Sequence, residues 1–347
     1  MWAGMLHLLV GNIVIGILEG GLIAFFLGIR KRIAIPLLIC ANYASTLAGL
    51  FLIPLMQNYI FIPEFGRPSL YNVGRFLWLF YISLFLITVV IEWPFCFLAM
   101  FKLAGRFKKS LYASCAVQAV SYLLLIPFYF GASATSLFAK LERDPSLVKT
   151  CTDKATILFI HPENGDVYRI QPNGTGLEKV LTLGAQDPSA KLFFRRHEGS
   201  ETGDLWVQTD YSEKSEKMLL PKFAANASQY RDVYEREHQG SYFDRWLASD
   251  FRPEDKQNPE VRAGFWAAEG IHVRERGTDD SFRLAFEVPF LMNWISRNAA
   301  VLPSERVIYQ LGPQIVLLDL NSRKIGLITM GRGPVVILDE PTRAESE

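Results

Sequence analysis

The sequence predicts a membrane α plus soluble β protein: a four-helix transmembrane bundle followed by an antiparallel β-meander domain. Three observations carry that prediction. Four apolar runs fill the first third of the 347-residue chain, and each is long enough to cross a hydrocarbon core of about 30 Å as a helix. Charge is partitioned: residues 1–131 hold nine Lys/Arg and three Asp/Glu, against 27 and 32 in the remainder. Beyond residue 154, short apolar or alternating stretches recur between Asn-Gly and Gly-rich turns, which is the pattern of strands joined by hairpins.

The apolar runs extend from Met5 to Ile29, Ile33 to Met56, Phe76 to Phe101 and Leu111 to Gly131. The first lacks a basic n-region and a small-residue cleavage site, and it is too long for a signal peptide. Arg30, Lys31 and Arg32 follow run one, and Lys102, Arg106, Lys108 and Lys109 follow run three, whereas the loop between runs two and three has only Arg67 and Arg75. Because basic loops stay in the cytoplasm, both termini and the β domain are expected to be extracytoplasmic in a multi-pass protein of the cell membrane (periplasmic in a Gram-negative cell). The expected organisation is residues 1–131 as the transmembrane domain, 132–153 as a short juxtamembrane helix and linker, and 154–347 as the β-rich domain.

Each run carries one strongly polar residue near its middle: Glu19, Asn42, Glu92 and Gln118. They lie 9 to 11 residues from the nearest basic residue of the cytoplasmic loops, roughly 14–17 Å along a helix, and so form one layer near the midplane. Small polar companions share their helix faces: Asn12 with Glu19, Ser45 and Thr46 with Asn42, Thr88 with Glu92, and Ser114 and Ser121 with Gln118. An ionisable group facing lipid costs several kcal/mol, so these faces turn inward. Gly16 and Gly20 bracket Glu19, and the spacings Ser45 to Gly49 and Ala44 to Ala48 follow Asn42, which suits close helix approach. Pro94 lacks an amide hydrogen and frees the carbonyl of Val90. The order Glu, basic loop, Asn and then Glu, basic loop, Gln suggests two parallel helical hairpins related about the membrane normal. Two readings of Glu19 and Glu92 stand side by side: a hydrogen-bonded cluster that fixes helix register, or a site for a proton, a cation or part of a substrate. Trp78, Tyr81, Tyr71 and Tyr59 read as interfacial anchors.

In the soluble part, strand–turn–strand units occupy 155–184, 190–220, 262–288 and 305–338, a recurrence of roughly 30–35 residues. The stretch "GDVYRIQPNGTGLEKVLTLG" and, less closely, "QIVLLDLNSRKIGLI" resemble the blade motif of WD40-like β-propellers of the TolB type. The resemblance covers about 130 residues in four pieces. It implies a small or incomplete β-propeller-like fold of the kind that presents interaction surfaces; with four recognisable units and a break in the period, a β-sandwich is the alternative architecture. Residues 224–260 interrupt the repeat with charge and aromatics; there Tyr230, Tyr234, Tyr242, Phe243 and Trp246 form either a partner-binding loop or a cover over the sheet edges.

Chemistry-bearing motifs do not stand out. The chain has no Walker A, GxGxxG, GxSxG or HExxH pattern, and its cysteines, Cys40, Cys96, Cys115 and Cys151, show no CxxC or metal-ligand spacing. His161, His197, His238 and His272 are dispersed, and Asp166, Asp204 and Asp319 sit at strand ends, where Asp suits the backbone. The Arg332 turn, "MGRGPVV", is glycine-rich without the helix that a phosphate loop needs. No basic patch suggests nucleic acid, and no catalytic residue, metal or cofactor is indicated. The expected function is a non-enzymatic, membrane-anchored interaction or sensor module whose partners are the lipid bilayer and a protein bound through the β domain, with oligomerisation open. The alternative is an ion- or proton-coupled transport or channel component built on Glu19 and Glu92.

Overall fold

The computed structural model describes residues 7–56, 59, 67–131, 139–187, 190–196, 203–209, 216–223, 260–263, 270–274, 281–285, 294 and 296–338. The chain divides into two compact units, Met1–Ala132 and Ser133–Glu347. The candidate loop residues Tyr230, Tyr234, Tyr242, Phe243 and Trp246 lie outside the described residues.

The first unit contains four helices that are long and apolar enough to cross a membrane. A π-helical turn, His7–Gly11, leads into α1 (Asn12–Leu27), which stops at Gly28 in the left-handed conformation, φ 65°. A Cβ would disfavour that backbone, so glycine is the natural terminator there. Helix α2 (Lys31–Met56) runs back, α3 (Val73–Ala99) carries Pro94 inside it, and α4 (Arg106–Gly131) completes the set. Helix α1 packs on α2, α2 on α3, α3 on α4, and α4 returns to α1. Phe25, Phe26, Phe51 and Leu123 are more than 70% exposed on the outside, which suits a lipid-facing surface. Inside, Ile23, Leu38, Ala41, Cys96, Met100 and Val117 form an apolar cluster.

The contact of α1 with α2 depends on two glycines. A Cβ on Gly16 would stand 2.6 Å from the Cα of Ile39, and one on Gly20 would stand 2.6 Å from the Cα of Ile35. Backbone meets backbone there, as the small-residue spacing on α1 predicts. Gly49 on α2 is different: among the described residues its Cβ would meet only Ile53 of the same helix, at 3.9 Å. The Ser45-to-Gly49 spacing therefore does not mark a close crossing.

The second unit is built of antiparallel meanders. Strands β3 (Ala155–Ile160), β4 (Val167–Ile170) and β5 (Glu178–Leu181) form one; β6 (Lys191–Arg196), β7 (Gly203–Gln208) and β8 (Glu216–Phe223) a second; β9 (Glu260–Ala263), β10 (Ile271–Arg274) and β11 (Ser281–Ala285) a third. The fourth has β12 (Ser296–Val301), β13 (Arg306–Leu311), β14 (Gln314–Asp319) and β15 (Lys324–Met330). The last strand, β16 (Arg332–Leu338), leaves its sequence neighbours and pairs antiparallel with β3. The four sheets of the described residues are not joined into a closed barrel or propeller.

The segment read as a helix and linker has more structure than its sequence suggests. Strand β1 (Ala139–Lys140) pairs in parallel with β11, and β2 (Glu142–Arg143) pairs in parallel with β15. Among the described residues of this segment, helix is found as the single turn α5 (Pro145–Lys149). Its N-cap, Asp144, accepts from the amide of Ser146 at 2.8 Å and binds Lys324 of β15 at 3.0 Å. Leu147 and Val148 then join the core with Ile157, Phe159, Ile315 and Leu317.

Asp166 and Asp204 play matching parts. Each follows a glycine at the start of the middle strand of its meander, Asp166 just before β4 and Asp204 as the second residue of β7. Asp166 accepts from the amides of Leu183 and Gly184, at 2.9 and 3.1 Å, and Asp204 accepts from the amide of Lys222 at 2.9 Å. In both cases a carboxylate ties the start of strand two to the chain 17 or 18 residues later, and so fixes where the third strand ends or leaves. Arg332 fills a comparable backbone need: it donates to the carbonyls of Ala185 at 2.8 Å, Gln186 at 3.3 Å and Asp187.

Two outcomes follow. Gly20→Leu inserts a side chain where the α2 backbone lies and lowers the denaturation midpoint of the bundle in detergent; Gly49→Leu leaves it within about 0.5 kcal/mol, as expected for a site away from a packed contact. In the second unit, Asp144 is held down to about 2 by the Ser146 hydroxyl, Lys324 and the Ser146 amide, and Asp166 is held below the usual carboxylate range by Lys179 and the Leu183 amide. A depressed folded value contributes stability that is complete above the unfolded value of about 3.9 and is lost as pH falls toward the folded one. The melting temperature of the sheet unit therefore falls between pH about 4 and about 2, and Asp144→Asn flattens that fall.

Candidate functional site

The polar residues of the four helices meet. Glu19 and Glu92 are fully buried, as is Gln118 within 2% and Asn42 within 6%. Gln118 of α4 sits between the carboxylates and donates through Nε2 to Glu92 Oε2 and, at 3.3 Å, to Glu19 Oε1. Ser121, one turn further on α4, donates to Glu19 Oε1 at 2.5 Å. Asn42 of α2 donates to Glu19 Oε2 at 2.6 Å, and its second amide proton reaches the carbonyl of Leu38 at 2.9 Å. Ser45 Oγ lies 2.6 Å from Glu92 Oε1.

All four carboxylate oxygens thus face a polar side chain from another helix. Glu19 ties α1 to α2 and α4, and Glu92 ties α3 to α2 and α4. Equal depth along four helices, read from the sequence, is what lets four short contacts converge. A buried polar group in hydrocarbon must find its partner inside the protein, and here each carboxylate does.

Ser45 has a proton-counting problem of its own. It lies 3.0 Å from the carbonyl oxygen of Asn42 as well as 2.6 Å from Glu92 Oε1. The carbonyl can only accept, and a hydroxyl has a single proton to give. Both contacts are complete hydrogen bonds only when a proton also lies on the Glu92 side.

The companions divide. Asn12 and Thr46 bond to each other at 3.0 Å, one layer removed from the carboxylates and joining α1 to α2. Thr88, expected beside Glu92, instead lies 3.3 Å from the hydroxyl of Tyr122. Ser114 donates to the carbonyl of Val89 at 3.3 Å, one residue before the carbonyl that Pro94 frees. Helices α3 and α4 are further joined by Trp93, whose ring N–H donates to Ser110 at 2.9 Å and whose ring stands edge-on to Phe107. Tyr43 of α2 donates to the carbonyl of Leu9 at 2.9 Å. Tyr122, Trp93, Ser110 and Tyr43 were not anticipated. Tyr122 had a visible signal, since it follows Gln118 by four residues and shares its helix face. Of the interfacial aromatics, Tyr59, Tyr71 and Trp78 are exposed, and Trp78 stands edge-on to Tyr81.

No family model, curated protein or solved structure matches the chain.

Asn42→Leu removes the donor of Glu19 Oε2 and leaves that oxygen buried, at a cost of about 1–3 kcal/mol. Thr46→Val removes the neutral hydrogen bond that Thr46 gives to Asn12 and costs about 0.6 kcal/mol, the usual size of such a bond between membrane helices. Equilibrium unfolding in mixed micelles measures both, and equal costs would show that the carboxylates do not set the stability of the layer.

Proposed function

We propose that the chain is a multi-pass membrane protein with both termini and the sheet unit extracytoplasmic, and that the sheet unit acts as a non-enzymatic interaction or sensor module. The seven basic residues at the end of the bundle where α1 meets α2 in sequence and α3 meets α4, against two, Arg67 and Arg75, at the other end, support this orientation. The pairing of the last strand, β16, with the first meander strand, β3, is the observation that carries the reading for the sheet unit. It draws the two ends of the repeat into one sheet, as a ring of WD40-like blades requires, and it supports a small or incomplete propeller-like platform with its connecting loops free for a protein partner. On this reading the Glu19–Asn42–Glu92–Gln118 layer locks the register of the bundle that carries the platform.

A second reading, proton- or ion-coupled transport through the same layer, is favoured by one observation: Ser45 faces two acceptors with one proton. A proton bound at Glu92 Oε1 and donated to Ser45 frees the hydroxyl for the Asn42 carbonyl, which gives the layer a place to take up and release a proton.

The double variant Glu19→Gln/Glu92→Gln separates the two. If the layer is a lock, the variant stays folded and the full chain crosslinks in intact membranes to the same protein as the wild type, while removal of residues 155–338 abolishes that crosslink. If the layer carries protons, the wild type in vesicles passes protons down an imposed pH gradient and the double variant does not.

A further inference from the structure

The fourth meander of the sheet unit holds a group of buried polar side chains. Ser296 is 2% exposed, Asn298 9% and Tyr309 not at all. Ser296 Oγ, Asn298 Nδ2 and Tyr309 Oη have no hydrogen-bond partner among the described residues. They share a place in the fold. Ser296 pairs with Leu311, so its side chain points to the same side of the sheet as Leu311 and, two residues away on β13, Tyr309. The register then slips. Arg297 pairs with Gln310 and Ala300 with Ile308, so Asn298 and Ala299 together stand opposite the single residue Tyr309. This is a β-bulge, and Asn298 takes φ 53° within it, a left-handed conformation that asparagine tolerates better than most residues.

The opposite side of these strands has a different character. Ala300, Ile308, Ile315 and Leu317 contribute there to the apolar core beneath α5. The polar trio is thus not an extension of a wet surface; it is a set of hydrogen-bonding groups built into a buried face at a bulge. A buried hydroxyl or amide without a partner costs about 1–3 kcal/mol, and three on adjacent strands would together consume much of the stability of a domain. A small molecule with two or more hydrogen-bonding atoms removes that cost. The trio offers an amide donor and two hydroxyls that both give and accept, and none of the three is charged at neutral pH, so its complement is a small neutral molecule.

We propose that the β12–β13 bulge is a binding site for a small neutral hydrogen-bonding molecule, held by Ser296, Asn298 and Tyr309, and that the molecule is ordered water. Water is the smallest species that satisfies donors and acceptors together, and buried waters with two to four such partners are regular structural components of globular domains.

Tyr309→Phe tests this by the sign of its effect, because it removes one oxygen and keeps the ring. In the full-length protein in detergent, with the sheet unit followed by near-ultraviolet circular dichroism, the site predicts a fall in melting temperature of about 2–4 °C, the shift expected for one lost hydrogen bond in a domain of this size. Ser296→Ala shifts it the same way. A midpoint that is unchanged or raised in both variants overturns the proposal, since removing a hydroxyl with no partner relieves a penalty. Native mass spectrometry of the released protein separates the occupants. A fall in melting temperature without added mass supports water. A bound organic mass that Tyr309→Phe abolishes supports the site and overturns water as its occupant.

Discussion

Two carboxylates in the middle of an apolar bundle set the terms for everything around them. Hydrocarbon offers Glu19 and Glu92 no water, and the described layer offers no basic residue: the nearest Lys or Arg in sequence is ten or more positions from either. Without a counter-charge, only hydrogen bonds and protons remain to offset burial. The bundle responds by bringing an amide or hydroxyl from α2 or α4 to each carboxylate oxygen. Gln118 touches both carboxylates, so neither helix carrying a Glu can slide by a turn without stranding a buried oxygen. The close approach of α1 to α2 at Gly16 and Gly20 serves the same end. Glu19 lies between the two glycines on the chain, and the short separation lets an asparagine side chain span the gap at 2.6 Å.

Much of this arrangement was legible because membrane helices obey simple geometry. A constant rise per residue converts a count from the basic loops into a depth, and the depths of Glu19, Asn42, Glu92 and Gln118 coincide. Helical spacing grouped Asn12 with Glu19, Ser45 and Thr46 with Asn42, and Ser121 with Gln118; across the helices Ser45 reaches Glu92, Ser121 reaches Glu19, and Thr46 bonds Asn12. Thr88 shares a helix face with Glu92 by its spacing, and its hydroxyl lies 3.3 Å from that of Tyr122 on α4. Spacing on one helix tells which side a residue occupies, and it does not tell which side chain of another helix reaches it first.

In the second unit the local signals and the distant ones part in the same way. Asn-Gly turns and alternation locate the strands from β3 to β8 and from β13 to β15, since hairpins are decided by neighbours in sequence. Strands β1 and β2 are only two residues each, too short to show any period, and they exist because β11 and β15 offer them free edges. Strand β12, "SRNAAV", is polar and bulged and carries no alternation to find. The departure of β16 to β3 depends on a partner some 170 residues away. The aromatic loop residues Tyr230, Tyr234, Tyr242, Phe243 and Trp246 lie outside the described residues, so the partner-facing role read from them stays an expectation of sequence.

One rule, that buried polar groups are paired, organises both units, and its local solutions differ with what lies within reach. In the bundle the backbone is committed to its helices, so the carboxylates are served by side chains from across the bundle. In the sheet unit backbone amides and carbonyls are left over wherever a strand ends, and Asp166, Asp204 and Arg332 turn to those instead. The same residue types therefore mark different things in the two halves: a carboxylate among helices reports the position of other helices, and a carboxylate at a strand start reports where its meander must turn. The bulge at Asn298 satisfies neither solution. Among the described residues Asn298 Nδ2, Ser296 Oγ and Tyr309 Oη have no hydrogen-bond partner, and that contrast with the paired polar groups elsewhere is what marks the bulge as a place for a further molecule.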